Sequence, residues 1–172
     1  MSSKIKAFTL IELIVTLAVA AVLAAIAAPS FAEIINNNRQ TTEINELAAA
    51  LHLSRSEAIK RGVNVTTCRS SNGTSCTGNW QDGWIVFQDT DDDGAVDGEA
   101  ILLVHGPIST GNTLNFDGSG NRVTYEASGY AVNHLGVYTL CDDRGDPSAK
   151  GLDISPSGRV SIANTVDLDP CP

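Results

Sequence analysis

Residues 8–28 read FTLIELIVTLAVAAVLAAIAA, and Glu12 is the only charged residue among them. As an α-helix this stretch would be about 31 Å long, which is enough to cross the hydrocarbon core of a bilayer. A carboxylate inside such a segment costs about 2 to 3 kcal/mol or more, so its presence indicates a function by default. The stretch holds no cation, and Glu12 therefore needs a positive partner from elsewhere.

The segment before this stretch reads MSSKIKA; it is basic and ends in a small residue. Lys4 and Lys6, with no comparable cluster just after the apolar run, place the N-terminus in the cytoplasm. A secretory signal peptide is the alternative, and residues 24–28 would then hold its cleavage site. Against this alternative, the run exceeds the usual apolar core of about 7 to 15 residues, and a disposable segment has no reason to carry an acid.

Residues 6–13, KAFTLIEL, resemble the class III signal of type IV pilins and type II secretion pseudopilins. In that family a prepilin peptidase cuts on the cytoplasmic side of the apolar run and methylates the new N-terminal residue. The resemblance implies a cut between Ala7 and Phe8, with Phe8 becoming N-methylphenylalanine. The family strongly prefers glycine before the cut, and we expect processing to survive its replacement by Ala7.

Cleavage before Phe8 would create an ammonium group four residues from Glu12, on the same helix face. The family's assembly model pairs this glutamate with the terminal amine of the neighbouring subunit. Two groups that are each costly in lipid become less costly when helices pack side by side. We therefore expect Phe8 and Glu12 to direct assembly and expect no catalytic role for this acid.

The helix is predicted to continue beyond the membrane, from about Phe8 to Arg61. Pro29 removes one backbone donor and should kink the helix without ending it. Lys60, Arg61 and Gly62 are typical of a helix end, with cations in the last turn and glycine after it. Residues 29–62 are predicted to present an apolar face at spacings of three and four, formed by Phe31, Ile34, Ile35, Ile44, Leu47, Ala48, Leu51, Ala58 and Ile59.

Residues 63–172 change to short alternating or apolar runs separated by glycine, asparagine and aspartate, which predicts a β-rich head. The predicted fold class is α+β and pilin-like: a long N-terminal helix, transmembrane in its first half, packed on an antiparallel β-sheet head. The domains are then a leader (1–7), a transmembrane helix (8–28), an amphipathic continuation (29–62) and the head (63–172). The predicted strands are 63–68, 83–88, 101–104, 113–116, 122–125, 136–140, 151–154 and 159–162.

Four segments of the chain are similar to the FimT/GspH group, which includes the minor pilins FimT and FimU and the type II secretion pseudopilin H. They are SRSEAIKRG (54–62), GWIVF (83–87), CDDRG (141–145) and SPSGRV (155–160). The resemblance implies a structural subunit that helps to initiate or cap a type IV pilus or a type II secretion pseudopilus. Which of the two machines it serves stays open.

The same resemblance implies where the protein works and with what. Its location would be the bacterial inner membrane, with a single span, a cytoplasmic N-terminus and a periplasmic head, and then the fibre. Its partners would be membrane lipid before assembly, prepilin peptidase, the inner-membrane assembly platform, and other major and minor pilins or pseudopilins.

Four cysteines, an even number, fit an oxidising compartment outside the cytoplasm. They allow three pairings. Cys68 and Cys76 flank a loop rich in serine, asparagine and glycine, so we favour a bridge between them; Cys141 and Cys171 would then fasten the C-terminal tail. The spacings do not resemble those of zinc or redox sites.

An acidic stretch at 89–99, DTDDDGAVDGE, resembles a calcium-binding EF-hand loop through Asp89, Asp91, Asp93 and Asp97. The closing glutamate is expected at position 12 of such a loop and stands one residue early, and the flanks are predicted strands. We therefore favour an acidic, solvated turn with no cofactor and keep calcium as the alternative.

Catalytic signals are weak, and we expect no enzyme: His52, His105 and His134 have no neighbouring constellation that suggests a triad or a metal site. A secreted hydrolase is thereby disfavoured. The remaining alternative is a minor pilin that binds DNA for uptake, a role known in the FimT group.

A DNA contact would use Arg159, Arg61 and Lys60. The group's DNA-linked motif has a second arginine where this chain has Ser161. The formal net charge of −9 becomes −11 once Lys4 and Lys6 leave with the leader, which opposes phosphate binding. A DNA partner is therefore not expected.

Overall fold

The structure is a computed structural model and describes residues 8–132 and 135–172. Its first element, α1, is a helix of 52 residues, Leu10–Arg61. Gly62 follows it with φ +70°, and its N–H donates to the Ala58 carbonyl at 2.9 Å. Glycine adopts this backbone conformation without the penalty that a side chain would bring, so the helix ends where the sequence predicts.

Two compact units make up the chain. One ends at Asn38 and the other comprises Arg39–Pro172. The second unit starts within α1, well before residue 63, where the sequence analysis placed the head. The reason is that the helical residues from 40 to 58 contribute buried side chains to the head, so this part of the helix belongs to the head's core.

In the described part of the second unit, nine antiparallel strands form two sheets. The five-stranded sheet has the order β3-β2-β1-β5-β6, and the four-stranded sheet has the order β4-β7-β8-β9. The strands are β1 (Val65–Arg69), β2 (Trp84–Gln88), β3 (Ile101–His105), β4 (Thr113–Phe116), β5 (Arg122–Tyr125), β6 (Ala131–Val132), β7 (Val137–Cys141), β8 (Lys150–Ile154) and β9 (Val160–Ile162).

The predicted α+β class with a long N-terminal helix and antiparallel strands is confirmed. The antiparallel strands divide into two sheets. All eight predicted strands occur within two residues of their predicted bounds, and the sequence missed only β6 among the described strands. A strand of two residues is too short to show a periodic pattern.

The core of the second unit lies between α1 and the sheets. Leu47 and Leu51 of the helix are fully buried, together with Trp84, Tyr125 and Tyr138 of the strands. Burying one such apolar side chain contributes about 1.5 to 3 kcal/mol. Trp80 and Trp84, the two tryptophans of the chain, are both core residues.

Polar residues also lie on the buried face of α1, and they form hydrogen bonds to residues of the strands and loops. Glu43, 6% exposed, accepts hydrogen bonds from the Ser109 N–H at 2.8 Å and from Asn112 Nδ2 at 2.6 Å. Ser54 is fully buried, and its hydroxyl shares a hydrogen bond with Thr67 of β1. These bonds fix the position of the helix against the head, because a buried polar group left unpaired would cost about 1 to 3 kcal/mol.

Candidate functional site

The start of α1 carries the candidate assembly residues. Thr9 precedes the helix; its carbonyl accepts from the Leu13 N–H at 3.2 Å and its hydroxyl oxygen from the Glu12 N–H at 3.3 Å. Threonine at the N-cap with glutamate three residues later is the sequence pattern of a capping box. Glu12 thus stands in the first turn, where the helix dipole favours a negative charge.

The large apolar side chains of the first unit are exposed. Phe8 is 82% exposed, and Ile11, on the same turn as Glu12, is 66% exposed. The other large apolar side chains of residues 10–35 are more than half exposed: Leu10, Leu13, Ile14, Val15, Leu17, Val19, Val22, Leu23, Ile26, Phe31, Ile34 and Ile35. A helix that is apolar all round needs lipid or other helices around it.

Within the described residues, α1 is the one helix long and apolar enough to cross a membrane. Inside its apolar part, the Thr16 hydroxyl donates to the Leu13 carbonyl at 2.9 Å. This bond matters because a hydroxyl without a partner is costly in hydrocarbon. Ala7 lies outside the described residues, so the geometry before Phe8 is not part of this site.

Both disulfides follow the pairing favoured from the sequence. Cys68 bonds to Cys76 and Cys141 to Cys171, with Cα atoms 5.6 Å and 5.7 Å apart. The first closes the loop after β1. The second joins the end of β7 to the C-terminal tail, 30 residues further along the chain.

An arginine of the CDDRG segment connects the head to the helix. Arg144 donates to both oxygens of Asp142, at 2.9 Å and 3.1 Å from Nε, and its Nη2 donates to Gln40 Oε1 at 3.2 Å. Burial favours the neutral form of Asp142, but the hydrogen bonds from Arg144 outweigh it and lower the pKa of this carboxyl. Gln40 has no local signal in the sequence, because its partner lies 104 residues away.

The acidic loop brings the predicted carboxylates together in two overlapping groups. Oxygens of Asp91, Asp93 and Asp97 lie within 4.8 Å of one another, and so do those of Asp89, Asp91 and Glu99. Glu99, which the sequence placed one residue early for a closing ligand, is therefore part of the cluster.

Neutral donors already bond two of these acids. Asp89 is fully buried and accepts from the Thr66 hydroxyl at 2.6 Å and the Gly94 N–H at 3.2 Å. Glu99 Oε1 accepts from the Thr90 N–H at 2.7 Å. These bonds hold the ends of the loop together from within the chain.

The three predicted DNA-contact residues do not form one bonded group. Lys60 and Arg61 both pair with Glu57, and the Arg61 and Lys60 hydrogen bonds lower the pKa of Glu57. Arg159 is exposed on the turn after β8, and within the described part of the chain no hydrogen bond or ion pair links it to Lys60 or Arg61.

Among the histidines, His105 stacks on Trp84 with ring centroids 3.8 Å apart, and its Nε2 lies 3.2 Å from Glu46 Oε2. His52 is exposed, and His134 lies outside the described residues. The stacking of His105 on Trp84 is a packing contact with a core residue.

Residues 43–158 match the family model described as type II transport protein GspH, and residues 2–28 match the prokaryotic N-terminal methylation motif. No curated protein is similar enough in sequence to match this chain.

Two solved structures illustrate the fold. The type IV minor pilin FimU of Pseudomonas aeruginosa is 20% identical, with a TM-score of 0.62 over 77% of this chain and 94% of that one. The minor pseudopilin EpsH from the type 2 secretion system of Vibrio cholerae is 13% identical, with a TM-score of 0.53 over 73% and 96%. At these identities the likeness concerns the fold.

Proposed function

Because this chain belongs to the GspH family of minor pilins and pseudopilins, we propose that it is a fibre subunit that helps to initiate or cap a type IV pilus or a type II secretion pseudopilus. The observation that carries this proposal is one acid, Glu12, in the first turn of a helix whose apolar side chains are exposed. The family is one of structural subunits, and we propose no enzymatic activity.

In the proposed mechanism, prepilin peptidase removes residues 1–7 and methylates Phe8. The new ammonium group of one subunit then pairs with Glu12 of its neighbour. The N-cap position of Thr9 supports this, because it starts the helix directly after Phe8 and so places the terminal amine and Glu12 at the same end of the helix, where a neighbouring helix could contact both. The exposed apolar side chains of residues 8–35 would pack against lipid before assembly and against other pilin helices afterwards.

We further propose a single span of the inner membrane with a cytoplasmic N-terminus. Lys4 and Lys6 precede the apolar run, which fits the excess of cations on the cytoplasmic side. Two disulfides in the head fit the oxidising periplasm. The inner-membrane assembly platform and other pilins or pseudopilins would be the partners of the subunit in this membrane.

The test is the incorporation of a Glu12→Gln variant into fibres in cells that express the rest of the machine. We expect the variant to enter the membrane but to fall at least several-fold in the purified fibre fraction, because a neutral amide cannot pair with the ammonium group. Glu33→Gln is the matched control, since Glu33 is an exposed acid further along the same helix. Equal incorporation of the Glu12 and Glu33 variants would contradict the proposal.

The alternative function, DNA binding for uptake, has less support. Lys60 and Arg61 share Glu57 as an ion-pair partner, which reduces their joint positive charge, and the net charge of the chain is negative. A gel-shift of the full-length chain in detergent at low salt decides this point: we expect no retardation of double-stranded DNA, and retardation lost in Arg159→Gln would favour the alternative.

A further inference from the structure

His105, the last residue of β3, lies between the five-stranded sheet and α1. In the register of β2 with β3 it stands opposite Trp84, and the two rings stack with their centroids 3.8 Å apart and their planes 2° from parallel. Its Nε2 lies 3.2 Å from Glu46 Oε2 of α1. Since β3 is the edge strand of its sheet, His105 connects that edge to the helix.

Both ring nitrogens of His105 face oxygen atoms that accept hydrogen bonds. Nε2 faces the Glu46 carboxylate, and Nδ1 lies 2.7 Å from the Gly106 carbonyl oxygen. A carbonyl oxygen or an ionised carboxylate can only accept, and a neutral imidazole carries a single N–H. The neutral ring therefore satisfies one of the two contacts, whereas the imidazolium ion donates to both.

The indole ring of Trp84 adds a third interaction that favours the charged ring. A cation over the face of an indole is attracted by its π electrons, and more strongly where water is excluded. Trp84 is fully buried, and the side chain of His105 is 25% exposed. Partial burial opposes a charge on the ring, but both of its hydrogen bonds become stronger when the donor is ionised.

The other charged groups beside His105 come from α1. A cavity of about 440 Å³ borders the ring, and its lining includes Arg39, Glu43 and Glu46 of the helix together with the uncharged residues 106–109. Arg39 is exposed, so solvent screens its repulsion of a charged ring. Among the described residues that line this cavity, Glu46 is the acid whose carboxylate contacts His105.

Glu43 and Glu46 stand three residues apart on one face of α1 and hold the two ends of one segment, residues 105–112. Glu46 contacts His105 at its start. Glu43 accepts from the Ser109 N–H and from the Asn112 side-chain amide near its end. Amide donors do not titrate near neutral pH, but a histidine does. The segment thus has one permanent attachment to the helix and one that depends on a proton.

From this geometry we propose that His105 and Glu46 form a pH-dependent latch that fastens residues 105–112 to α1. Protonation of the ring closes the latch. Loss of the proton opens it, because one ring nitrogen then presents a lone pair to an oxygen atom. A head outside the cytoplasm, as proposed above, would hold this segment more firmly in acidic surroundings; the latch itself does not depend on that location.

The test is the melting temperature of the full-length chain in detergent micelles between pH 5 and pH 8, a range that brackets the ordinary imidazole value of about 6.5. A histidine whose charged form finds partners only in the folded chain contributes stability at low pH. That contribution disappears as the pH rises and the ring loses its proton. We expect His105→Gln to melt below the parent, with a gap about twofold or more larger at pH 5 than at pH 8.

Glu46→Gln tests the partner. The Glu46 side chain is 47% exposed, so its replacement by an amide of the same shape leaves the core intact. We expect its gap to the parent also to be larger at pH 5. The two substitutions combined should cost less than the sum of their separate effects at pH 5 and should be additive at pH 8. His52→Gln, at an exposed position of the same helix, is the control and should show an equal gap at both pH values.

Three results would overturn the proposal. They are a gap for His105→Gln that is constant or grows from pH 5 to pH 8, additive effects of the two substitutions at pH 5, and a pH dependence in His52→Gln equal to that in His105→Gln. If His105→Gln does not fold, Glu46→Gln alone decides: a gap larger at pH 5 supports the latch, and a constant gap contradicts it.

Discussion

Arg55 and Gly158 join the end of α1 to the turn that carries Arg159. Arg55 Nη2 donates to the Ser157 carbonyl at 3.1 Å. Gly158 has φ +74°, and a Cβ there would lie 2.1 Å from the Gly129 carbonyl oxygen and 3.3 Å from Arg55 Nε. The glycine is therefore required both by its backbone conformation and by the close approach of a second turn.

Gly158→Ala should destabilise the head more than a substitution that only strains the backbone. Gly62 is the matched control, because it has a similar φ of +70° with nothing within 4 Å of its Cβ position. Each alanine costs about 1 to 2 kcal/mol for the left-handed conformation. Gly158→Ala adds about 1 to 3 kcal/mol for the displaced carbonyl. Chemical unfolding gives the free energy of unfolding of each variant. Equal decreases in the two variants would contradict the close contact between Gly158 and the Gly129 carbonyl.

The Asp142–Arg144 pair predicts a pH dependence of stability. The Asp142 side chain is 4% exposed; burial opposes its ionisation, but the bonds from Arg144 prevail and hold its pKa below the ordinary 3.8. A carboxyl whose pKa is lowered on folding contributes stability above its unfolded pKa, and that contribution disappears as the pH falls through the folded value.

Asp142→Asn should therefore melt below the parent at pH 7, and the gap should narrow as the pH falls below about 4. Asp143→Asn, at the exposed neighbouring position, should show no such narrowing. Melting temperatures of the three chains between pH 7 and pH 3 give the comparison. A gap for Asp142→Asn that stays constant to pH 3 would exclude the ion pair as the source of stability.

At the scale of elements, the acidic loop between β2 and β3 is tied by bonds of its own. Thr66, Thr90 and the Gly94 N–H bond its buried ends, and Arg122 bonds the Asp93 carbonyl. One carboxylate oxygen, Glu99 Oε2, is buried with no hydrogen-bond partner among the described residues. The internal bonds favour a solvated turn that needs no ion. The unpartnered Glu99 oxygen favours the calcium alternative, because a bound ion would give it a partner.

We expect millimolar calcium to leave the melting temperature of the full-length chain unchanged, as for a turn that needs no ion. Calcium binding would instead raise the melting temperature as the calcium concentration increases. Magnesium at the same concentration controls for general screening of the acids. A calcium-specific rise that Asp91→Asn abolishes would establish the alternative, since Asp91 belongs to both carboxylate groups.

Elements with a local pattern could be predicted, and pairings across the chain could not. The end of α1 follows from Lys60, Arg61 and Gly62, and the strand at 113–116 from turn residues on both sides, because each signal lies within a few residues. The division into two sheets depends on contacts such as β1 with β5, across more than fifty residues. The link from Arg144 to Gln40 likewise has no local signature.

For the whole molecule, the two units divide the tasks. The first carries exposed apolar side chains and one acid, to which we assign a role in assembly, and the second holds its own core and disulfides. Sequence alone predicted the assembly residues, because a lone carboxylate in an apolar run is visible without a structure.

The central claim is that proteolysis before Phe8 supplies the cation for Glu12. Intact-mass and N-terminal analysis of the mature protein, purified from its own cells, tests it most directly. We expect the chain to start at Phe8 with one added methyl group and to retain residues 8–28. A chain that starts after Ala28, as left by signal peptidase, would contradict the account, because both the amine and the acid would then be gone.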